Sequence, residues 1–512
     1  MAISEHILGI DIGTTSTKVV LFALDGTIIG QHAIGYPLMS PQADIQEQDP
    51  QAIYQATIGS VYAVVESFPE KAKSIIGMAF STVMHSLIAV DEKGELLTNS
   101  ITWADRRSEP WVSKIQQQCN AHNLYVRTGT LIHPMSPLVK LMWLRNEKPE
   151  LFNRAAKFIS IKEYVIYRWF GQYVVDYSIA NATGLFNMNA LDWDPDALEL
   201  AGITSSQLSQ LVPTTHILSP MTAAAANSMG IRADTPVVIG ASDGVLANLG
   251  VGAIAPDTIA VTVGTSGAVR AVLDHPQPDP NERLFCYALT EKHWVIGGAI
   301  NNGGIVLRWV RDNLADAEVD TAYLLKKDAY DILTEIAATV PAGSEGLIFH
   351  PYLAGERAPI WDANARGSFF GLGLNHTKAH IIRAVLEGIV YNLHSVLTAL
   401  EDAVGPAKSI RATGGFAHSS LWRQMLADVF NRTMIVPDSH EGSCFGAAVL
   451  GLYALGRIPN LEQVTQMISE THAHQPIATN VERYQKILPL YAQLLDSFMP
   501  LYSDMAKIRT GY

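Results

Sequence analysis

Two short turns rich in glycine and threonine follow apolar, strand-like runs about half a chain apart. The first spans residues 10–18 (IDIGTTSTK), and the second spans residues 261–267 (VTVGTSG). Glycine lets an anion approach the backbone closely, and the hydroxyls and successive N–H groups of such a turn can donate hydrogen bonds to phosphate oxygens. The repetition predicts two related lobes that close on one nucleotide.

The first turn lies between two predicted antiparallel strands. Residues 7–12 and 18–23 are rich in β-favouring side chains, and Asp25-Gly26 then marks a hairpin turn. A Walker loop or a dinucleotide-binding fingerprint joins a strand to a helix instead, so the pattern excludes both of these motifs. Because helical periodicity follows over residues 49–66, we expect a mixed α/β sheet rather than a purely parallel one.

The length of 512 residues is too great for one compact core and predicts two to three domains. Two large domains fit the repeated turn best. The segment 253–257 is the candidate crossover, which gives domains of residues 1–252 and 253–512. In the second of these, a broad apolar stripe over residues 379–401 predicts a long core helix.

Charge and cysteine usage narrow the class of protein. The formal net charge of −13 argues against a nucleic-acid partner, because binding by counterion release needs a basic face. Cys119, Cys286 and Cys444 lack metal-ligand spacing, so we expect three small core residues in a reduced compartment.

The first residues show no signal peptide, and no apolar run approaches the roughly 18 to 20 residues of a membrane span. A cytoplasmic protein is therefore expected.

Two aspartates follow predicted strands and have the placement of phosphoryl-transfer residues. Asp11 ends the strand before the first turn, where its carboxylate could hold Mg²⁺ or form an ordinary Asx-type turn. Asp243 follows an apolar strand, and it could accept the proton of an attacking hydroxyl or cap the helix that begins near Val245. The pattern leaves both pairs of alternatives open.

Three further clusters could contact a ligand. Gly414-Gly415 stands at a predicted strand-to-helix turn that suits a nucleotide, although an isolated Gly-Gly is more often only a tight turn. Met84-His85 and residues 103–107 (WADRR) follow strands of the first lobe and could grip a polyol. A structural histidine and a solvated arginine pair are the plainer interpretations of these two clusters.

Taken together, these motifs resemble the FGGY family of carbohydrate kinases. Residues 135–147 (MSPLVKLMWLRNE) resemble its first signature, and residues 367–372 (GSFFGL) followed by 380–387 (HIIRAVLE) resemble its second. The likeness runs in order from about residue 8 to residue 456. It implies an α/β fold with two ribonuclease H-like domains of the actin and sugar-kinase superfamily, and it places ATP and sugar in the cleft between them.

The resemblance also implies a role for individual residues. It places Asp243 as the general base and as a contact of the sugar, and it places Asp11 at the Mg²⁺ site. The other sugar-contacting positions that it implies are Met84, His85, Trp103 and Asp105. The positions that it implies for the nucleotide are Gly13, Thr14, Thr15, Lys18, Gly264, Thr265, Gly304, Gly414, Gly415 and Ser419.

Four segments within this likeness are most similar to bacterial gluconokinases: residues 81–86, 102–108, 129–135 and 240–248. They imply transfer of the γ-phosphoryl group of ATP to the 6-hydroxyl of D-gluconate. Xylulokinases share Met84-His85 and are the alternative, although asparagine usually follows their aspartate where this chain has Gly244. An actin-like ATPase without sugar chemistry would share the turns but lack both signatures, and it is the remote alternative.

A gluconate substrate needs a cationic or multi-donor partner for its carboxylate in this acidic protein. Arg106, Arg107 and Arg357 are the candidates. Arg357 lies in the loop AGERAP, residues 354–359, which is equally plausible as plain structure. The family resemblance also suggests a homodimer.

Overall fold

The computed structural model of this protein describes residues 5–437 and 441–510. It divides into two compact units, and each unit is formed by three separate segments of the chain. The first unit comprises Met1–Ile254, Val272–Ile296 and Glu441–Ile468, and the second comprises Ala255–Ala271, Gly297–His440 and Ser469–Tyr512. The predicted domains, residues 1–252 and 253–512, are continuous in sequence, whereas these units are not, and the domain boundary stays a prediction.

The first unit is built on a six-stranded mixed sheet. In their order across the sheet, its strands are Ile217–Leu218, Val237–Ser242, Ile75–Thr82, His6–Ile12, Ser16–Ala23 and Ile28–Gly35. The second, third and fourth of these run parallel to one another, and the last three pair antiparallel. The carboxyl ends of three neighbouring strands therefore meet at one edge of the sheet.

The hairpin at the start of the chain forms as predicted. His6–Ile12 pairs antiparallel with Ser16–Ala23, so the first glycine-threonine turn joins two strands. Ile7, Leu8 and Ile10 have no exposed surface, because the strand lies in the middle of the sheet with both faces covered.

Helices and short strands surround this sheet. The helix predicted over residues 49–66 is observed as Pro50–Ser67, and the carboxylate of Asp49 caps it by accepting a hydrogen bond from the N–H of Gln51. The other helices of the first unit are Pro69–Ala72, Pro110–Gln118, Ala121–Thr128, Pro137–Glu147, Pro149–Arg154, Ile161–Phe170, Tyr177–Asn181, Pro195–Ala201, Ala223–Met229, Asp243–Gly250 and Gly442–Ala454. Its short strands are Glu47–Gln48, Ile88–Val90, Ser100–Ile101, Lys157–Ile159, Val174–Asp176, Phe186–Asn187, Asp192–Trp193 and Gln210–Val212, and Phe285–Thr290 lies in its second segment.

The second unit repeats the arrangement of the first. Thr258–Val263 pairs antiparallel with Gly267–Leu273 across the second glycine-threonine turn, and it pairs in parallel with Ser409–Thr413 on its other side. Six adjacent strands of this seven-stranded sheet lie in the order His293–Ile300, Gly267–Leu273, Thr258–Val263, Ser409–Thr413, Thr433–Pro437 and Glu470–His474. The duplication inferred from the two turns is thus present in the backbone pairing.

The predicted core helix of the second unit is observed as Lys378–Val404, and most of its side chains are buried. The chain ends in a helix that the sequence motifs did not indicate, Ala478–Thr510. The remaining elements of this unit are the helices Gly304–Leu314, Asp316–Leu325, Ala329–Ala338 and Ser420–Phe430, and the strands Ile348–His350 and Ser368–Phe370.

The cysteines are free thiols, and two of the three lie in the core. Cys286 and Cys444 are buried, as predicted, and Cys119 is partly buried against two clusters of the apolar core. Cys119 follows the helix Pro110–Gln118 directly and is partly exposed at that helix end. Within the described part of the chain, no helix combines the length and apolar character needed to cross a membrane.

One glycine allows the close approach of two parallel strands. The pairing of Val237–Ser242 with Ile75–Thr82 shifts register between Val238 and Ala241, and Gly240 in this interval has a φ of +70°. A Cβ atom at this position would overlap the carbonyl of Phe80. Both the left-handed backbone and the lack of space therefore require glycine here.

We predict that Gly240→Ala destabilises the protein more than Gly171→Ala does. Both glycines have a φ near +70°, but a Cβ atom at Gly171 would meet no atom within 4 Å. Gly171→Ala should therefore cost only the left-handed strain of about 1 to 2 kcal/mol. Gly240→Ala should add about 1 to 3 kcal/mol, because the Phe80 strand must move. Thermal unfolding midpoints of the two variants test this, and equal losses would contradict the close approach.

Candidate functional site

The carboxyl edge of the first sheet brings together both predicted aspartates. Across the parallel strands, Asp11 is paired with Ser81, and Ser81 is paired with Ala241. Asp243 follows two residues later, as the first residue of the helix Asp243–Gly250. Ligands of open α/β sheets bind outside the carboxyl ends of the strands, so this edge is the candidate site of the first unit.

Asp11 is held at this edge by a neighbouring strand. The Ser81 hydroxyl donates a hydrogen bond of 2.6 Å to its Oδ1. Burial, together with the nearby carboxylate of Asp243, raises the pKa of Asp11 to about 7. A divalent cation would favour the charged form of this carboxylate.

The donor type at Asp11 fits Mg²⁺. Magnesium usually keeps several waters and takes one or two carboxylates together with substrate phosphates, rather than a cage of protein side chains. Among the residues that the structure describes, no cluster of three or more His, Cys, Asp or Glu could hold a metal ion. Asp11 offers one carboxylate group for this mode of binding. The assignment of Asp11 as a ligand of Mg²⁺ stays a prediction.

The structure removes one alternative for Asp243. The N-cap of the helix is Ser242, and Asp243 itself is the first helical residue, so Asp243 is not the cap. Its half-buried carboxylate accepts a hydrogen bond of 2.7 Å from the N–H of Gly244. A carboxylate in the first turn of a helix interacts favourably with the positive end of the helix dipole.

The first glycine-threonine turn is fixed by its neighbours. The N–H of Gly13 donates to the carbonyl of Ser16 at 3.0 Å, which closes the turn. The Tyr36 hydroxyl donates to the carbonyl of Gly13 at 2.7 Å, and the Gln48 amide donates to the carbonyl of Thr14 at 2.5 Å. These bonds set the turn in place without using the hydroxyls that were predicted to face phosphate.

Lys18 and Thr15, both predicted nucleotide contacts, differ in their surroundings. Thr15 is exposed at the tip of the turn. Lys18 is paired with Glu441, at 3.0 and 2.8 Å from its two carboxylate oxygens, and the sequence motifs did not indicate this partner. Their roles toward a nucleotide stay predictions.

Trp103 and His85, two predicted sugar contacts, have different surroundings. Trp103 lies beside the first turn, and His85 has a strained backbone. The Trp103 indole N–H donates to the hydroxyl of Thr14 at 3.0 Å, which joins the two motifs. His85 is buried with a φ of +68°, and its Nδ1 lies 2.7 Å from the carbonyl of Ala182. A non-glycine residue with a positive φ costs energy and is often found at functional sites. Met84, beside it, is partly buried.

Asp105, another predicted sugar contact, is fully buried, and protein groups donate hydrogen bonds to its carboxylate. Its carboxylate accepts hydrogen bonds from the N–H of Gln46 at 2.8 Å and from the Arg107 guanidinium at 2.6 Å. Arg107 also donates to Glu47 at 2.6 Å, and Arg106 is paired with Glu109 on the surface. Two candidate partners for a substrate carboxylate are thus already paired with carboxylates of the protein.

The third candidate, Arg357, belongs to the second unit. Its guanidinium donates to the carbonyl of Ile300 at 3.2 Å. The carboxylate of Glu356, next to it, is buried and accepts hydrogen bonds from Asn302 and Asn392. Arg357 therefore lies in a loop with a built polar network, which supports the structural interpretation of that loop.

A buried lysine outside the predicted contacts joins the two sugar-contacting loops. Lys140 Nζ donates to the carbonyls of His85 and Thr102 at 2.6 and 2.7 Å, and to that of Ile101 at 3.4 Å. Burial lowers the pKa of Lys140 to about 7, with Asp105 opposing the shift. A charged residue among the apolar residues of the Pro137–Glu147 helix was the available sequence signal.

The second unit contains a cavity of about 560 Å³ at the carboxyl edge of its sheet. Five predicted nucleotide contacts line it: Gly264, Thr265, Gly304, Gly415 and Ser419. Thr262 and Thr413 are paired across the parallel strands, which places the Gly264 turn beside the Gly414 turn. Gly414 has a φ of +116°, and a Cβ atom there would overlap the carbonyl of Val263, so only glycine fits.

The cavity combines backbone donors with an apolar and aromatic wall. The helix Gly304–Leu314 begins against the turn, where the N–H of Gly304 donates to the carbonyl of Gly264 at 2.7 Å. The lining residues that sequence motifs did not indicate are Leu307, Arg308, Asp328, Tyr330, Asp331, Thr334 and Trp422. Most of them come from three helices far apart in sequence, and no local pattern marks them as neighbours.

Two domain models of one family match most of the chain. The N-terminal domain of the FGGY family of carbohydrate kinases matches residues 6–250. The C-terminal domain of the same family matches residues 259–455.

Characterised relatives cover almost the whole chain. A gluconokinase from Bacillus subtilis strain 168 is 52% identical over 509 residues, or 99% of both chains. A gluconokinase from Bacillus licheniformis is 53% identical over 505 residues, or 98% of both chains. A xylulose kinase from Bacillus subtilis strain 168 is 28% identical over 508 residues, or 99% of both chains.

Two solved structures from Lactobacillus acidophilus have the same fold. A gluconate kinase matches with a TM-score of 0.93 at 38% identity, over 98% of this chain and 100% of that one. A ligand-bound xylulose kinase matches with a TM-score of 0.92 at 38% identity and the same coverage. The predicted two-domain α/β fold is confirmed, and this chain belongs to the FGGY family of carbohydrate kinases.

Proposed function

We propose that this protein transfers the γ-phosphoryl group of ATP to the 6-hydroxyl of D-gluconate. The observation that carries the proposal is the full-length similarity to gluconokinases, about half of the residues being identical, against less than a third for the xylulose kinase. The solved structures named for the two activities are equally similar to this chain, so the fold alone does not choose between gluconate and xylulose. Xylulose kinase activity is therefore the less supported alternative.

In the proposed reaction, Asp243 accepts the proton of the 6-hydroxyl as its oxygen attacks the γ-phosphorus. A new O–P bond forms, the bond between the γ-phosphorus and the β,γ-bridging oxygen breaks, and ADP leaves. In such a transfer the protein mainly positions the reactants and neutralises charge. Asp243 has the placement for its part, since it lies at the carboxyl edge of the sheet beside Asp11.

We assign the nucleotide to the cavity of the second unit, and the nucleotide contacts of the first turn stay predictions. The Gly264-Thr265 turn and the Ser419 hydroxyl would donate to phosphate oxygens, while the aromatic wall that includes Tyr330 and Trp422 would contact the base. Mg²⁺, when bound, would neutralise charge on the phosphate oxygens, and Asp11 is its proposed ligand. A homodimer and a cytoplasmic location also stay predictions.

A panel of acceptors tests the substrate. With ATP and Mg²⁺, we expect kcat/KM to be highest for D-gluconate, by about two orders of magnitude over xylulose, ribulose, fuculose and glycerol. A site built to pair the carboxylate of gluconate would be left with an unpaired group by an uncharged sugar, which is strongly unfavourable when that group is buried. Coupled release of ADP is the measurement. A preference for xylulose would select the alternative, and sugar-independent ATP turnover would favour the actin-like ATPase.

We predict that Asp243→Asn lowers kcat by about 10² to 10⁴-fold, the usual contribution of general-base catalysis. The amide oxygen can still accept the N–H of Gly244, so the fold and the affinity for ATP should be kept. Asp25→Asn is the control, because Asp25 is exposed and likewise accepts a backbone N–H, that of Thr27. Steady-state kinetics and calorimetric ATP titration are the measurements, and near-normal turnover in Asp243→Asn would reject the base assignment.

We predict that Lys140→Met raises KM for gluconate about tenfold or more and leaves KM for ATP nearly unchanged. The substitution removes the lysine donor from the buried carbonyls of His85 and Thr102, although the carbonyl of Thr102 keeps a backbone donor, the N–H of Asp105 at 3.2 Å. This loss should loosen both sugar-contacting loops. Lys148→Met is the control, since Lys148 is exposed just beyond the same helix. Kinetics with each substrate varied in turn measure the effect; an equal rise in both KM values would contradict it.

A further inference from the structure

A fully buried ion pair lies behind the strand end that carries Asp243. Lys162 Nζ is 2.6 Å from Asp176 Oδ2, and neither side chain has exposed surface. Taking two charges out of water is costly, and apolar residues of similar volume often serve stability equally well. The stability of the core alone therefore does not explain why this chain keeps the pair.

The lysine of this pair holds the strand that leads to Asp243. Lys162 Nζ donates a second hydrogen bond, of 3.3 Å, to the carbonyl of Ala241. Ala241 is paired with Ser81, whose hydroxyl holds Asp11. The bond of Lys162 thus reaches the backbone two residues before Asp243 and in register with the other aspartate of the site.

The aspartate of the pair fixes a second support for the same strand end. Asp176 Oδ1 accepts the N–H of Ile179 at 3.0 Å and so caps the short helix Tyr177–Asn181. In that helix, Ser178 Oγ accepts the N–H of Ser242 at 3.1 Å and lies 3.0 Å from the Ser242 hydroxyl. The two residues directly before Asp243 are therefore both anchored through one ion pair.

We propose that Lys162 and Asp176 are positioning residues, which hold the Ala241–Ser242 strand end so that the carboxylate of Asp243 meets the substrate hydroxyl. This role rests on the proposed function of Asp243 as the general base. Displacement of a catalytic group by about 1 Å can cost about 10²-fold in rate, while substrate binding through other residues is kept. The pair should therefore affect kcat and leave KM nearly unchanged.

The test compares Asp176→Asn with a matched control, Asp194→Asn. Asp194 is also fully buried, caps the helix Pro195–Ala201 by accepting the N–H of Ala197, and forms an ion pair with Arg127. Either variant keeps an oxygen for its cap and loses the charge of its pair. With the acceptor preferred in the panel, we expect Asp176→Asn to lower kcat by about 10- to 100-fold, with both KM values within about twofold. Asp194→Asn should keep kcat while losing a comparable amount of thermal stability.

Equal kcat in the two variants would show that the Asp176 pair is merely structural, and it would overturn the proposal. Lys162→Met gives the same comparison from the other side of the pair. Should Lys162→Met fail to fold, Ser178→Ala is the second variant, because it removes the hydrogen bond to the N–H of Ser242 without burying an unpaired charge. For Ser178→Ala we expect a smaller decrease of kcat with unchanged KM. An unchanged kcat in Ser178→Ala would likewise count against the proposal.

The double variant Asp176→Asn/Asp243→Asn separates this proposal from that of the base itself. If the pair acts through Asp243, removing it in the Asp243→Asn background should change kcat by less than about twofold, because coupled residues are not additive. A full additional loss there would place the effect elsewhere. If the Asp243→Asn single variant is active, the assignment of Asp243 as the base is rejected. If Asp243→Asn is inactive but the Asp176→Asn single variant has normal activity, only the positioning role is rejected.

Discussion

The parallel pairing of three strands determines where the chemistry of the first unit can occur. Because Asp11, Ser81 and Ala241 are in register, the two aspartates reach one edge of the sheet although more than two hundred residues separate them. This register depends on Gly240, whose left-handed backbone shifts the pairing just before the strand ends. Burial, together with the nearby carboxylate of Asp243, raises the pKa of Asp11, and the closeness of the two groups follows from the same arrangement.

The second unit uses the same pairing for a different purpose. Its strands bring the Gly264 turn and the Gly414 turn together, and the space that these glycines leave becomes one wall of a cavity. In the first unit, the equivalent turn follows a strand end that carries a carboxylate, that of Asp11. One duplicated backbone pattern thus supports a carboxylate site in one unit and a nucleotide-sized cavity in the other, which suits a phosphoryl transfer that needs both.

Local signals in the sequence predicted the parts that depend on neighbours along the chain. The first hairpin, the helix capped by Asp49 and the long helix Lys378–Val404 all formed where periodicity and turn residues indicated. Contacts between distant segments had no such signal. Lys140 stands out only as a charge among apolar residues, and Lys162 looks like an ordinary helical lysine. Their partners become evident only when the segments around Thr102 and Ala241 are in place. The aromatic wall of the cavity was missed for the same reason.

The two buried lysines suggest how an acidic protein uses cations at its site. Backbone carbonyls at strand ends and in loops lack the regular partners of a ladder, and burying them without a donor is unfavourable. A lysine side chain offers several donors from one atom and can satisfy two or three carbonyls together. Lys140 does so for the loops of His85 and Thr102, whereas Lys162 joins the carbonyl of Ala241 to the carboxylate of Asp176. Buried lysine side chains thus hold the backbone around the site of the first unit, while Arg106 and Arg107 are paired with carboxylates of the protein.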